Sequence, residues 1–235
     1  WNCDWSSDVC SSDLAIEVEI VRSAPAGIKL RSDKGINLPD TELDLPALTA
    51  TDLKTLDFAA KNVDLVGLSF VRRPSDVDLL DEELAKRNAR RLGMVLKIEN
   101  RQAFENLPRL LMAALRYPPV GIMVARGDLG VELGFERMAE VQEEILWLCE
   151  AAHVPVIWAT QVLEGLAKKG LPSRGEVTDA AMSSRAECVM LNKGAYLANA
   201  VKFLDDVLVR MQDHHQKKTP MLRKLKVSEG RWHEE

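Results

Sequence analysis

Short runs of apolar, mostly β-branched residues recur about every 30 residues and are separated by segments with helical spacing. The five runs are VDLVGLSFV (63–71), GMVLKI (93–98), GIMV (121–124), PVIWA (155–159) and ECVML (187–191). Such a period is typical of a repeated strand–helix unit. Because these strands are apolar throughout and alternate with helices, the pattern predicts a parallel sheet covered by helices.

The intervening segments predict amphipathic helices. Apolar residues at 141, 145, 148, 149 and 152 have the i, i+4, i+7 spacing of one helical face, and 198–211 has a similar pattern. A Thr or Ser followed three residues later by an acidic residue predicts a capping box at a helix start. Two helices are expected to begin in this way, at Thr49 with Asp52 and at Ser173 with Glu176.

Polar residues are concentrated where the predicted strands end. They are Ser69, Lys97, Glu99, Arg126, Asp128, Thr160, Gln161, Asn192 and Lys193. No G-x-G-x-x-G follows a strand, which disfavours an open dinucleotide-binding sheet. Active sites of (β/α)8 barrels lie at the carboxyl ends of the strands. We therefore expect an α/β fold that is part of a TIM (β/α)8 barrel.

Composition excludes some classes of protein. The 235 residues are 46% hydrophobic, as in an ordinary globular protein, and no apolar run is long enough to cross a membrane. The net charge is only −5, which argues against a nucleic-acid binder. No C-x-x-C pair is present for zinc. We interpret Cys149 and Cys188, in apolar surroundings, as buried free thiols of a cytoplasmic protein.

The beginning of the chain does not fit the strand–helix repeat. Residues 1–14 have neither a helical nor a strand period. From Ala15 to Arg22 apolar and polar residues alternate strictly, and a second short strand is expected at 28–30. This segment, 15–38, predicts the end of a small β-rich unit that precedes the barrel.

The motif KIEN, at 97–100, brings two opposite charges together. Lys97 and Glu99 are two residues apart on a strand, so both side chains project from the same face. Burying these charges is costly unless they are paired or bind a ligand. A structural salt bridge is one interpretation, and a site in the mouth of a barrel is the other.

The motif VARGDLGVE, at 124–132, follows the next strand. Gly127 allows a ligand to approach the backbone, and free N–H groups at a helix start bind anions. Asp128 could cap the helix, but with Glu99 it offers the two carboxylates that a Mg²⁺ ion takes. Lys97 would then stabilise charge on a phosphoryl group or an enolate. Thr160, after the next strand, is either a helix cap or a further group of this site.

These motifs together resemble the pyruvate kinase family. The resemblance rests on KIEN, GIMVARGDLGVE, ATQVLEG, LPSRGEVTDAAM and ECVML, and also on KGINLPDTELDLPALTATDL and VGLSFVRRPSDV. The family transfers the phosphoryl group of phosphoenolpyruvate to ADP, giving pyruvate and ATP, with Mg²⁺ or Mn²⁺. Its fold is a (β/α)8 barrel with an inserted β-barrel lid. The resemblance implies that these five strands are the fourth to the eighth.

The resemblance also implies residue roles. Lys97 matches the lysine that stabilises the transition state, and Glu99 and Asp128 match the metal ligands. Gly127 and Asp128 match backbone donors to the substrate carboxylate, and Thr160 matches the threonine beside the enolate carbon. The K⁺ ligands of the family have no counterpart in this chain. The family implies a homo-oligomer, with no nucleic acid or membrane as partner.

The chain departs from the family in three places. The resemblance leads us to expect that the family's first barrel strands and its C-terminal domain are missing, and the usual MLSGETA reads MLNKGAY, with Asn192 and Lys193. Residues 4–14, DWSSDVCSSDL, match one translated frame of a common sequencing adapter, so we expect residues 1–14 to be non-native. The predicted domains are therefore a lid remnant at 15–38, a partial barrel at 39–212 and a tail at 213–235.

Two other functions stay open from the sequence. One is a Mg²⁺-dependent aldolase or lyase of phosphoenolpyruvate or pyruvate, although such an enzyme does not need Lys97 beside Glu99. The other is a degenerate homologue without activity, which the Asn192–Lys193 departure favours and the intact site motifs oppose. Because five strands cannot close a barrel and leave exposed edges, we expect the chain alone to be inactive or only very weakly active.

Overall fold

The computed structural model describes residues 45–215, together with Gly27, residues 37–39 and Thr41. Contacts between Cα atoms divide the chain into two units, 1–38 and 39–235. Within its described residues the second unit contains α1 (Ala50–Asn62), β1 (Leu65–Leu68), α2 (Pro74–Lys86), β2 (Gly93–Ile98), α3 (Arg101–Glu105), α4 (Leu107–Ala114), β3 (Val120–Ala125), α5 (Arg126–Leu133), α6 (Met138–Ala151), β4 (Val156–Val162), α7 (Glu164–Lys169), α8 (Arg174–Met182), β5 (Cys188–Leu191) and α9 (Leu197–His215).

The five strands form one parallel sheet in the order β1–β2–β3–β4–β5, so each strand pairs with its neighbour in sequence. The register places Lys97 opposite Met123 and Ile98 opposite Val124. Every crossover between strands contains at least one helix. The predicted α/β fold with a parallel sheet is therefore confirmed, and the assignment of the strands as the fourth to the eighth of a barrel stays a prediction.

The two faces of the sheet differ in their cover. Side chains on one face pack under the helices in a continuous apolar core, and Leu96, Ile98, Ile122 and Trp158 there are fully buried. Successive strand residues point to opposite faces, so Lys97 and Met123 project from the other face. At the two edge strands that face is open, because Leu65 is 59% exposed and Met190 is 38% exposed.

Local sequence signals set the helix starts. The Thr49 hydroxyl accepts a hydrogen bond from the Asp52 N–H at 3.2 Å, and the Asp52 carboxylate accepts one from the Thr49 N–H at 2.7 Å. Ser173 and Glu176 form the same reciprocal pair at the start of α8. Both predicted capping boxes are confirmed, and each satisfies backbone donors that a helix start leaves free.

The strand ends differ from the predicted runs by three residues in two places and by no more than two residues elsewhere. The run 63–71 forms a strand only at Leu65–Leu68, because Phe70 adopts a left-handed conformation with φ 51° that ends the extended chain. In contrast, β4 continues three residues beyond Ala159 through a register irregularity between Trp158 and Val162. Both differences occur at the carboxyl ends of strands.

The prediction for the cysteines is right for Cys149 and wrong for Cys188. Cys149 is buried in α6, and burial raises the pKa of its thiol to about 12. Cys188 is exposed, because it lies on edge strand β5 opposite Ile157, on the face that the helices do not cover. Cys3 and Cys10 lie outside the described residues.

Several other predictions also lie outside the described residues. They concern the adapter-derived segment 1–14, the strands within 15–38 and most of the basic tail after 215. The last helix, predicted at 198–211, is observed at Leu197–His215. In the part of the chain that the structure describes, no helix combines the length and the apolar character that a bilayer span requires.

Candidate active site

The candidate residues lie at the carboxyl ends of three adjacent strands. Lys97 is the next-to-last residue of β2, and Glu99 directly follows that strand. Gly127 and Asp128 are in the first turn of α5, which begins immediately after β3. Thr160 is in the irregular end of β4. Because the strands are parallel and neighbours, these ends meet at one rim of the sheet, as the sequence predicts.

Lys97 extends along this rim toward β1. A Cβ atom at Gly67 would lie 3.7 Å from Lys97 Cδ, so the lysine stem passes over a position without a side chain. The Lys97 ammonium donates to Ser69 Oγ at 2.9 Å and forms an ion pair with Glu99 Oε1 at 2.7 Å. Its side chain remains 27% exposed, so its two partners do not enclose it completely.

Glu99 is held more tightly than its partner. Its side chain is only 4% exposed, and Oε2 accepts a hydrogen bond from the backbone N–H of Phe70 at 2.6 Å. A buried carboxylate requires such partners, because its desolvation is otherwise costly. The left-handed turn at Phe70 thus provides a fixed donor, and the two Glu99 oxygens are each engaged by one neighbour.

The first turn of α5 presents Gly127 and Asp128. The residue that precedes the helix is Ala125, which has no side chain able to cap it, and Asp128 is the third residue of the helix. The alternative that Asp128 is an N-cap is therefore wrong. The free N–H groups of this first turn and the helix dipole favour an anion at this end.

Gly127 and Thr160 are in direct contact. A Cβ atom built on Gly127 would lie 2.8 Å from Thr160 Cγ2, closer than two carbon atoms normally approach. Thr160 lies within β4, and the residue that precedes α7 is Leu163, so the alternative that Thr160 caps a helix is also wrong. Helix α5 and the end of β4 therefore meet at these two residues.

The backbone at the end of β4 is unusual. Thr160, Gln161 and Leu163 have φ values of 72°, 60° and 47°, in the left-handed region that non-glycine residues rarely adopt. Irregularities of this kind are common beside active sites, where they redirect a side chain. The sequence gives no signal for this turn, because none of the three residues is Gly, Asn or Asp.

Arg126 and Asp179 are residues of this rim to which sequence reasoning assigned no role. Arg126 donates to the carbonyl oxygens of Ala159 at 2.8 Å and Thr160 at 2.6 Å, and it forms an ion pair with Asp179. Arg126 was visible as a polar residue at a strand end. Its partner was not, because Asp179 lies 53 residues further along the chain, within α8.

A second polar cluster supports α7 and the β5–α9 loop. Glu176 accepts hydrogen bonds from the N–H groups of Ser173 at 2.7 Å and of Gly165. Burial raises the pKa of Glu176, but the hydrogen bonds from Ser173 and Gly165 outweigh it and hold the pKa below its ordinary value. Asn192 donates to Glu164 at 3.3 Å, which connects the altered MLNKGAY loop with the start of α7.

The structure thus brings Lys97 together with Glu99, and Gly127 together with Thr160. Within the described residues, no three His, Cys, Asp or Glu side chains form a cluster able to hold a metal ion. A shared ion between the two carboxylates Glu99 and Asp128 stays a prediction. Such a site would rely on substrate oxygens and water for its other ligands, as Mg²⁺ sites commonly do.

A family model described as pyruvate kinase, barrel domain, matches residues 8–201. The chain belongs to the pyruvate kinase family. The match begins inside segment 1–14 and ends in α9, so it includes every strand of the sheet and every candidate residue of the rim.

Curated relatives share this family name. The pyruvate kinase of Kluyveromyces lactis is 41% identical over 189 residues, which are 77% of this chain and 36% of that protein. Pyruvate kinase 2 of Candida glabrata is 39% identical over 196 residues, 80% of this chain and 37% of that protein. The pyruvate kinase of Bacillus licheniformis is 35% identical over 208 residues, 85% of this chain and 35% of that protein. The chain therefore spans little more than a third of the length of these relatives.

Proposed function

We propose that the protein containing this chain transfers the phosphoryl group of phosphoenolpyruvate to ADP and so produces pyruvate and ATP, the reaction implied by the family name of its relatives. The observation that carries the proposal is the Lys97–Glu99 ion pair at the carboxyl end of β2, in which the glutamate is buried and the lysine side chain is still 27% exposed. In this role the protein is a cytoplasmic enzyme of glycolysis and a homo-oligomer.

Lys97 is suited to stabilise the migrating phosphoryl group. An ammonium has three N–H donors, and among the described residues two of them are engaged by Ser69 and Glu99. The third is available to a phosphoryl oxygen. Negative charge spreads over the oxygens of a phosphoryl group in the transition state, so a fixed cation beside it lowers the barrier.

Glu99 and Asp128 are the residues that would hold Mg²⁺ or Mn²⁺. Their chemistry fits, because carboxylate oxygens are the ligands that these hard cations prefer and Mg²⁺ is usually bound by only one or two of them. When bound, such an ion neutralises charge on phosphoryl and enolate oxygens. The Phe70 N–H holds one Glu99 oxygen at 2.6 Å and Lys97 pairs with the other at 2.7 Å, so the carboxylate is fixed in place and a metal ion would share it with these two neighbours. For K⁺, the chain offers none of the ligands that the family resemblance implies.

The other rim residues would orient the three-carbon substrate. The first turn of α5 offers the N–H groups of Gly127 and Asp128 to its carboxylate, at the end of the helix that favours negative charge. Thr160, in contact with Gly127, would then lie beside the enolate carbon, which gains a proton when pyruvate forms. Its hydroxyl can donate and accept a hydrogen bond, so it suits a proton-transfer path.

The test is ADP-dependent formation of pyruvate from phosphoenolpyruvate by the full-length protein, compared with a Lys97→Met variant. We expect kcat to fall about 100- to 1000-fold, the usual cost of removing one donor that stabilises transition-state charge. Lys86→Met is the matched control, because Lys86 also pairs with a largely buried glutamate, Glu83, but lies on α2 with its side chain 64% exposed. The control should retain the wild-type rate.

Three results would oppose the proposal. Pyruvate formed by carbon–carbon cleavage of an aldol substrate, with none formed from phosphoenolpyruvate and ADP, would indicate a lyase or an aldolase, for which the ammonium of Lys97 has no phosphoryl group to stabilise. The absence of any turnover by the folded wild-type protein would indicate a degenerate homologue. Equal activity of Lys97→Met and the wild type would remove the residue on which the proposed mechanism depends.

A further inference from the structure

The Arg126 guanidinium connects α5 with the carboxyl end of β4. Its Nε donates to the Ala159 carbonyl at 2.8 Å and its Nη2 to the Thr160 carbonyl at 2.6 Å. On the other side it meets the Asp179 carboxylate of α8 through both terminal nitrogens, Nη2 at 2.9 Å from Oδ2. The side chain is only 13% exposed. One residue thus binds two consecutive carbonyls of the strand end and a carboxylate from another helix.

The indole ring of Trp158 completes this arrangement. Arg126 Cζ lies 4.7 Å from the centre of the ring, and Trp158 Nε1 is 3.3 Å from Asp179 Oδ1. A planar guanidinium can stack on an aromatic ring while its edge donates in several directions, whereas a lysine ammonium cannot do both. The geometry therefore uses features that are specific to arginine.

The segment that Arg126 binds is strained. Thr160 and Gln161 both have a positive φ, and a β-branched residue such as threonine is an outlier there. Such conformations persist only where the surroundings hold them, and they are found mainly at functional sites. The two carbonyl contacts of Arg126 are at Ala159 and Thr160, directly before and within the turn.

We infer that Arg126 is a positioning residue that holds the left-handed turn at Thr160 and so fixes the direction of the Thr160 side chain. The inference rests on the proposed function, in which the Thr160 hydroxyl acts on the enolate carbon. Arg126 acts through Thr160 and not by touching substrate, because its donors are directed at the protein carbonyls and at Asp179. The contact between Gly127 and Thr160 Cγ2 fixes the other side of the same threonine.

A double-mutant cycle in the full-length protein tests this coupling. Misplacement of a reacting group by 1 Å costs about 100-fold in rate, so we expect Arg126→Lys and Thr160→Ala each to lower kcat by about that factor. Because both changes remove the same function, the double variant should be no slower than Thr160→Ala alone. A loss of about 10,000-fold in the double variant would mean that the two residues act independently, and would overturn the inference.

The control separates positioning from a purely structural role. Arg185 forms a similarly buried ion pair with Glu143, with side chains 18% and 25% exposed against 13% and 25% for Arg126 and Asp179. We expect Arg185→Lys to keep the wild-type kcat per folded molecule and Arg126→Lys to lose it. If a lower folded fraction fully accounts for the lower activity of Arg126→Lys, the inference is wrong. Should that variant not fold, Asp179→Asn tests the same coupling and is expected to be about 10-fold slower.

Amide hydrogen exchange tests in a second way, without an activity assay, whether Arg126 holds the turn at Thr160. In Arg126→Lys or Asp179→Asn we expect the N–H groups of 160–163 to exchange at least about 10-fold faster, while α1 and α2 stay as protected as in the wild type. Unchanged exchange at 160–163 would overturn the inference even if the rate fell. If instead the wild type forms no pyruvate, the proposed function fails, and the exchange data still decide whether Arg126 holds the turn.

Discussion

Replacing Gly127 by alanine tests the contact between α5 and β4 with the smallest possible change. The added Cβ would lie 2.8 Å from Thr160 Cγ2 and 3.9 Å from Thr160 Cβ. Carbon atoms pack at about 3.5 to 4.0 Å, so the threonine methyl has to move by about 1 Å. The threonine is β-branched and in a left-handed conformation, so it has few alternative rotamers with which to avoid the clash.

The expected effect on catalysis is larger than the effect on stability. A displacement of 1 Å at a reacting group costs about 100-fold in rate, which is about 2.7 kcal/mol in activation free energy. For folding, overpacking costs about 1 to 3 kcal/mol, and alanine regains about 0.5 to 1 kcal/mol over glycine within a helix. The free energy of unfolding should therefore fall by no more than about 2.5 kcal/mol.

The assay is the steady-state rate of pyruvate formation by the full-length protein, divided by the folded fraction from a urea titration. Gly175→Ala is a closely matched control. Gly175 is the second residue of α8, as Gly127 is of α5, and a Cβ there would meet only Ser173 Oγ, at 4.0 Å. We expect wild-type kcat for the control. A wild-type kcat in Gly127→Ala, or an equal loss in both variants, would refute the proposed role of this contact.

Two further predictions concern the support of the rim. Glu176→Gln should lower the free energy of unfolding by about 1 to 3 kcal/mol at pH 7, because the ionised carboxylate accepts hydrogen bonds from Ser173 and Gly165. The pKa of Glu176 lies below its ordinary value of 4.5, so its contribution is complete above that pH and is lost as the pH falls through the lower folded-state pKa. Urea titrations should show a smaller difference in the free energy of unfolding between wild type and Glu176→Gln at pH 3 than at pH 7. A difference that is the same at both pH values would contradict an origin in the ionised carboxylate. Gly194→Ala should destabilise by about 3 kcal/mol, because its Cβ would lie 2.1 Å from the backbone oxygen of Ala167; an unchanged urea midpoint would show that the loop can move aside.

The elements of this fold were predictable because each has a local cause. The strands are short apolar runs between turn-forming residues, and all five appear in the sheet. The helix starts at Thr49 and Ser173 depend on hydrogen bonds within four residues, so the sequence contains both partners. The parallel order follows from the alternation of strands and helices, which leaves little room for another topology.

Which faces of the sheet are covered was less predictable from the sequence than the positions of its strands. The run ECVML is as apolar as the central strands, but it forms the edge strand β5, where one face has no cover among the described residues. Cys188 and Met190 point to that face and are exposed, whereas Val189, on the helix side, packs against the core. Composition does not distinguish an edge strand from a central one, because cover depends on elements remote in sequence.

The candidate site likewise contains contacts that the sequence predicts and contacts that it does not. Lys97 and Glu99 are two residues apart on a strand, so strand geometry alone brings them together. The ion pair of Arg126 with Asp179 and the donation from Phe70 to Glu99 join residues that are 53 and 29 apart. These contacts arise only when neighbouring strands and helices are in register, and the left-handed turns at Phe70 and Thr160 have no signal of their own in the sequence.

The two interpretations of Lys97 and Glu99, as a structural salt bridge and as a catalytic pair, are not exclusive. The ion pair does form, but replacing such a pair by apolar residues of similar size is often neutral or stabilising. A contribution to stability alone therefore does not explain why Lys97 and Glu99 stand at the end of the otherwise apolar strand β2. The burial of the two residues is also unequal, since Glu99 is buried and held by the Phe70 N–H while the Lys97 side chain stays partly exposed. A lysine that is paired with a buried carboxylate and still partly exposed can contribute to the fold and also meet an anion, so the ion pair itself does not decide against the proposed catalytic role.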